Sequence, residues 1–460
     1  MNYHITRNPY TLEEFNTYPY ESLEQVQAKI EKARNAFRIW KNVSISERVA
    51  AIRNGLTYFE ENCEGIARDI TRQMGKPLAQ SHNEIESFFE RAHYLCNIAE
   101  KTLSPDILPE KTHFYRRIDH IPLGVVFIIA AWNYPLLIAV NGVVTALLAG
   151  NTVLLKHSGL TTSIGTHFEN SLKKHGSWDN LLHHVVITHD VAQRIIETKN
   201  IDHVIFTGSV KGGKAIKQST AYSFMDCNLE LGGKDAAYVA PDTDILKAAD
   251  GLVEGAMYNA GQSCCGIERV YVHENIYSEF VEKCCTLVDR YKLGDPMEPA
   301  TTMGPLPTVN AAKMMMEQIR DAIHNGAKIE RGGHTRKIGN GTFMEPTILT
   351  NVKHTMRVMQ EENFGPIMPI MKVKDMDEAI DFINDSKYGL TAAIYTSSED
   401  LANQFSERID TGTVFMNRCD YLDPALPWTG VKESGKGSTL SKYGFYALTR
   451  KKAIHFRTKF

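Results

Sequence analysis

Three short segments combine residue types that can make and break bonds. In Asn259-Ala260-Gly261-Gln262-Ser263-Cys264-Cys265-Gly266 a cysteine sits in a glycine-flanked turn. A thiolate there is a nucleophile once a helix start or a positive group lowers its pKa. Most cysteines are instead small core hydrophobes, and this segment alone leaves both readings open. The doublet Cys264-Cys265 is poorly built to offer both sulfurs to one metal, and no metal site is expected. In Glu230-Leu231-Gly232-Gly233-Lys234 a carboxylate ends an apolar strand. Burying it is costly, so it is either a general base with a raised pKa or the partner of Lys234 or of a backbone turn. Phe206-Thr207-Gly208-Ser209-Val210-Lys211-Gly212-Gly213-Lys214 ends a strand and opens a helix. Free N–H groups at such a start suit a phosphate, although the G-x-G-x-x-G spacing is absent.

These segments need elements to hold them. Residues 124–231 alternate apolar strands with helical stretches. The strands are expected at 125–131, 152–156, 184–188, 203–207 and 227–231, and the helices near 138–149, 161–174, 190–198 and 212–219. Such alternation predicts βαβ units and an open parallel sheet, with ligands at the carboxyl ends of its strands. The alternation resumes less regularly from Lys234 to Thr429, with strands at 269–273, 369–373 and 392–396 and helices at 275–290, 308–325, 376–385 and 399–409. Ahead of both, apolar stripes over 23–40 and from Val49 to Phe59 predict helices, the second started by the capping box Ser44-x-x-Glu47. Residues 103–121 read as an excursion from the first domain. The uncharged run Ile121–Leu155 is long enough to cross a bilayer. Gly124, Asn133, Pro135, Asn141, Gly142, Gly150 and Asn151 interrupt it, so buried strands flanking a buried helix are expected, and no membrane partner.

Composition narrows the classes further. Across 460 residues, 51 Lys and Arg face 54 Asp and Glu, a net charge of -3 that gives no basic field for nucleic acid. The eight cysteines include no CxxC pair, which argues against a disulfide scaffold or a zinc ribbon. The start, MNYHITRNPYTLEEF, shows no secretory signal, and a cytoplasmic location is expected.

Taken together, Glu-Leu-Gly-Gly-Lys and Gly-Gln-x-Cys resemble the aldehyde dehydrogenase superfamily. Further matches are Met74-Gly75-Lys76-Pro77, Trp132-Asn133-Tyr134-Pro135, Gly150-Asn151-Thr152-Val153-Leu154-Leu155-Lys156, Glu361-Glu362-Asn363-Phe364-Gly365-Pro366 and Lys432-Glu433-Ser434-Gly435. The resemblance implies a Rossmann-like cofactor domain (1–102 and 122–232) and an α/β catalytic domain (233–430). It also implies an oligomerisation hairpin and C-terminal arm (103–121 and 431–460), whose last strand joins a partner's sheet in a homodimer or homotetramer. It implies Cys264 as nucleophile, Asn133 and the Cys264 N–H as oxyanion donors, and Glu230 as base. Its NAD or NADP contacts map to Trp132, Lys156, Gly159, Gly208, Ser209, Gly213, Glu362 and Phe364. A base at 230 favours water as acyl acceptor over coenzyme A, hence a carboxylic acid product.

Two departures bear on specificity. Where the family often reads Lys-Pro-Ser-Glu, this chain reads Lys156-His157-Ser158-Gly159. The missing carboxylate removes a ribose acceptor and a charge that would repel a 2′-phosphate, so relaxed or NADP-leaning use is expected. His157 is expected to be packed or solvated. Succinic semialdehyde enzymes place two arginines at positions that are Asn141 and Tyr258 here. Without them the tunnel, walled by Tyr134, Tyr258 and Trp428, is expected to take an uncharged aliphatic or aromatic aldehyde. Succinic semialdehyde and betaine aldehyde are the alternatives. Cys265 is expected to line the tunnel.

Overall fold

The computed structural model describes residues 3–174 and 178–459. A six-stranded sheet runs in the order Gly435–Lys436, Cys227–Glu230, His203–Thr207, Val125–Ile129, Thr152–Lys156, Leu182–His184. The last five strands are mutually parallel, and Gly435–Lys436 adds antiparallel at one edge. All five residues of Val125–Ile129 and of Thr152–Lys156 are buried, because helices cover both faces. From the central strand Val125–Ile129 the chain winds out to Leu182–His184, then crosses to His203–Thr207 and winds the other way. The two strands where winding reverses deliver Asn133 and Gly208 to the same end of the sheet. Such a switch point is where open α/β sheets bind ligands.

A seven-stranded sheet follows, with Ala236–Val239 and Arg269–His273 among its central strands. It is parallel except for the antiparallel edge strand Lys328–Arg331. Ser44 caps its helix with Glu47 at the third position, as the capping box predicts. The helix Pro135–Leu148 is buried on nearly every side. Among the described residues no helix is long and apolar enough to cross a membrane.

Two expectations need correction. The strand expected at 184–188 is Leu182–His184 instead. Val186 leaves the ladder because its N–H donates to Glu21 Oε1 (3.0 Å) and its carbonyl accepts from the Glu21 N–H (2.9 Å). The C-terminal strand Thr449–Arg457 pairs along its whole length with Phe114–Pro122 of the same chain, as an outer strand of a three-stranded sheet. Residues 431–448 do not follow that arm. Val431–Lys432 pairs with Tyr388–Gly389, Gly435–Lys436 enters the six-stranded sheet, and the helix Ser441–Ala447 packs on Leu78–Leu103 and Pro135–Leu148.

Candidate active site

Past the helix Ile245–Met257 the backbone takes three successive left-handed residues: Asn259 (φ 53°), Ala260 (φ 55°) and Gly261 (φ 68°). Asn and Gly adopt this region readily, whereas Ala260 costs about 1–2 kcal/mol. The Asn259 amide holds the strained turn. Its Nδ2 donates to the Asn133 carbonyl (3.0 Å) and to the Gln262 carbonyl (3.1 Å), while Gln262 Nε2 donates back to the Asn259 carbonyl (2.9 Å). A Cβ on Gly261 would lie 2.2 Å from the Gly365 backbone, so only glycine fits. The turn exposes Cys264 to a cavity of about 460 Å³. Among the described residues the Cys264 N–H has no protein acceptor.

Asn133 reaches the same turn from the other sheet. It is 3 % exposed, and its Nδ2 donates to the Gln262 carbonyl (3.1 Å), which orients the amide and leaves its second N–H for another acceptor. Glu230 ends its strand on the cavity wall. Thr207 Oγ1 donates to it at 2.9 Å, and Thr439 donates to its other oxygen. Burial raises its pKa, partly offset by the two hydroxyls and by Arg91. The structure thus gathers Cys264, Asn133 and Glu230 around one space.

Tyr134, Asn141, Tyr258 and Trp428 all line that cavity. The Lys76 ammonium sits 4.0 Å from the Tyr134 ring centroid, and Asn83 Nδ2 donates to the Tyr258 hydroxyl (3.4 Å). The Cys265 thiol donates to Asp420 Oδ1 (2.9 Å) and so is a lining group already engaged.

The tunnel is not free of cations, contrary to expectation. Arg91, 6 % exposed, lines the cavity and donates to Asn141 Oδ1 at 3.2 Å. It lies on the helix Leu78–Leu103, where Gln80, Asn83, Glu84, Ser87 and Arg91 share one face. A polar stripe at helical spacing was the available signal, but nothing in the sequence says what that stripe faces.

The family model described as the aldehyde dehydrogenase family matches residues 3–454. The chain belongs to the aldehyde dehydrogenase family. It is 34 % identical over 459 residues to a succinate-semialdehyde dehydrogenase (NADP+) of Deinococcus radiodurans, covering 99 % of this chain and 95 % of that one. It is 31 % identical over 445 residues to a succinate semialdehyde dehydrogenase (NAD(P)+) of Escherichia coli K12, covering 96 % and 95 %. A solved betaine aldehyde dehydrogenase of Staphylococcus aureus, in complex with NAD+, superimposes with a TM-score of 0.95 at 29 % identity, covering 100 % of this chain and 92 % of that one.

In this aldehyde dehydrogenase the residues expected to hold a dinucleotide cluster at the carboxyl ends of the six-stranded sheet. Lys156 is 7 % exposed, and among the described residues its ammonium has no acceptor within reach. A buried amine without a partner fits a ligand hydroxyl or phosphate oxygen. Ser209 Oγ accepts the Gly212 N–H (3.2 Å) and starts the helix Val210–Thr220. Gly213 has a packing reason, since a Cβ there would come 2.5 Å from the Leu231 side chain. The Trp132 and Phe364 rings meet edge to face, with centroids 5.7 Å apart. Glu362 accepts the Gly233 N–H (3.1 Å), and burial pushes its pKa up to about 8.

Around Gly159 the N-terminal hairpin supplies a residue that sequence reasoning missed. His4 Nε2–H donates to the Gly159 carbonyl at 2.6 Å. A Cβ on Gly159 would come 2.9 Å from the His4 ring, so His4 fills the space a longer side chain would need. His157 is packed, as expected. Its Nε2 donates to the Pro135 carbonyl (3.0 Å), its Nδ1 accepts from the Ser158 N–H (3.0 Å), and burial lowers its pKa to about 4.

Proposed function

We propose that this protein oxidises an aldehyde to the carboxylic acid with NAD or NADP, using Cys264 as nucleophile. The observation that carries the reading is the cross-bonding of Asn133 to the strained Cys264 turn, at a cavity that Glu230 also lines. Cys264 Sγ bonds to the carbonyl carbon, and the carbonyl electron pair moves to oxygen. The Asn133 amide and the Cys264 N–H are the donors for that oxyanion, a contribution worth about 3–4 kcal/mol per donor in comparable sites. The nicotinamide cofactor, when bound, supplies the hydride acceptor. Once the C–H bond has given its hydride to that acceptor, Glu230 takes a proton from water as the water oxygen bonds to the acyl carbon, the C–S bond breaks, and Cys264 leaves as the thiolate that attacked. Burial raises the pKa of Glu230, which makes its carboxylate a stronger base for that proton.

Lys156, Ser209, Glu362 and Phe364 are the side chains assigned to the cofactor, within a domain formed by 1–102 and 122–232. Because residue 159 has no side chain, a ribose 2′-phosphate meets no carboxylate there, which supports use of NADP beside NAD. The strand Thr449–Arg457 lies on the outside of its three-stranded sheet, a position that supports a homodimer or homotetramer, and a nucleophilic thiol suits a reducing cytoplasm. The aromatic walls Tyr134, Tyr258 and Trp428 suit an aliphatic or aromatic carbon chain. With Arg91 on its wall, the tunnel does not require an uncharged substrate.

The test is an aldehyde panel run with each cofactor, with Cys264→Ala as the blank. The expected outcome is oxidation with both cofactors and none in Cys264→Ala. Turnover surviving in Cys264→Ala, above a no-enzyme control, overturns the mechanism.

A further inference from the structure

Arg91 is a buried guanidinium to which no carboxylate is committed. The three carboxylates that act on it each have other hydrogen-bond partners. Glu84 pairs with Lys76 and accepts the Leu136 N–H (2.8 Å). Glu230 is held by Thr207 and Thr439. Glu90 accepts the Tyr421 hydroxyl (2.8 Å). Arg91 Nη1 donates to Asn141 Oδ1 (3.2 Å) and, at 3.4 Å, to the Leu137 carbonyl. Both acceptors are neutral, and a guanidinium carries five N–H donors in a fork shaped for a carboxylate. Among the described residues Arg91 makes no ion pair, although it is 6 % exposed and lines the same cavity as Cys264. Glu230, Glu84 and Glu90 act on Arg91 only across space, so a guanidinium without a direct carboxylate partner keeps donors for an incoming anion at the cavity it lines.

We propose that Arg91, steadied by Asn141, is the specificity residue that receives the distal carboxylate of a short ω-carboxy aldehyde. This rests on the aldehyde oxidation proposed above. The cation comes from the helix Leu78–Leu103, at neither of the two positions inspected in the sequence, Asn141 and Tyr258. Asn141 touches the guanidinium and so turns from a missing anchor into the group that aims one. A volume of about 460 Å³ accommodates a four- or five-carbon chain with room for water.

The experiment compares kcat/KM for succinic semialdehyde with that for butanal, in the wild type, Arg91→Met and Arg91→Lys. The wild type is expected to favour the semialdehyde. Arg91→Met is expected to lower its kcat/KM about 30-fold or more while changing that of butanal only a few-fold. Arg91→Lys is expected to recover part of the loss. Inhibition of the unaltered protein needs no variant to fold: succinate is expected to inhibit at least about 10-fold more tightly than butanoate, which lacks the tail charge. Equal inhibition by the two acids, or equal losses for both aldehydes in Arg91→Met, overturns the role of Arg91. If neither aldehyde is oxidised with either cofactor, the aldehyde oxidation itself falls instead.

Discussion

Replacing Glu84 with Ala tests how Asn133, the proposed oxyanion donor, is held. The Lys76 and Glu84 side chains form a pair that is 0 % and 1 % exposed. Glu84 Oε1 also accepts the N–H of Leu136 (2.8 Å) and, at 3.4 Å, of Leu137, both in the first turn of the helix that follows Asn133. Two losses therefore coincide. Losing a helix-capping acceptor costs about 1 kcal/mol. Stranding a buried charge costs about 3–5 kcal/mol, so the unpaired Lys76 dominates. Burial already lowers the Lys76 pKa, and removing Glu84 lowers it further. The folded variant then sheds a proton that the unfolded chain keeps to about pH 10, so its stability deficit narrows as pH rises toward 10. The expected deficit is about 4 kcal/mol at pH 7 by denaturant unfolding, with the double variant Lys76→Met/Glu84→Gln recovering most of it. kcat is expected to fall about 100-fold as the Asn133 turn shifts, with the KM for cofactor little changed. A deficit below about 1 kcal/mol, or a double variant no better than the single, would refute this account.

Two further outcomes follow from buried titratable groups. Glu230→Gln is expected to give one burst of reduced cofactor per active site followed by slow turnover, since acylation proceeds while water is no longer deprotonated; stopped-flow absorbance reads this, and unchanged steady turnover rejects the base. His157, His184 and His203 are buried and neutral, with pKa values lowered by burial to about 4, 3 and 4. The unfolded chain protonates them near pH 6.5, so stability is full above that pH and is lost as pH falls toward 4, at up to about 1.4 kcal/mol per pH unit for each histidine. Denaturation midpoints at pH 7, 6 and 5 check this, and His203→Gln is expected to flatten the slope.

Much of the scaffold was legible because the sheets are covered on both sides. Val125–Ile129 and Thr152–Lys156 read as unbroken apolar runs because no face of either strand meets water. Leu182–His184 was misplaced because its far end is set by Glu21, a contact between segments distant in the chain. The residues proposed to react were legible as candidates where the local sequence is unusual, as in the left-handed turn before Cys264. Arg91 was not, because its meaning depends on the Asn141 it touches from another helix. His4 escaped notice for the same reason: it serves a position, Gly159, known in the sequence only for what it lacks.

The short strand Gly435–Lys436 ties the order of synthesis to the chemistry. It completes the sheet edge beside Cys227–Glu230, and Thr439, which follows it, reaches a carboxylate 209 residues upstream. A nascent chain that has already emerged with Cys264, Asn133 and Glu230 still lacks the backbone partner and one hydroxyl that fix the proposed base. Contacts of such long sequence separation form late, after most loop entropy has been surrendered. The carboxylate of Glu230, the proposed base, therefore gains its last hydroxyl only after the residues around Cys264 have been made.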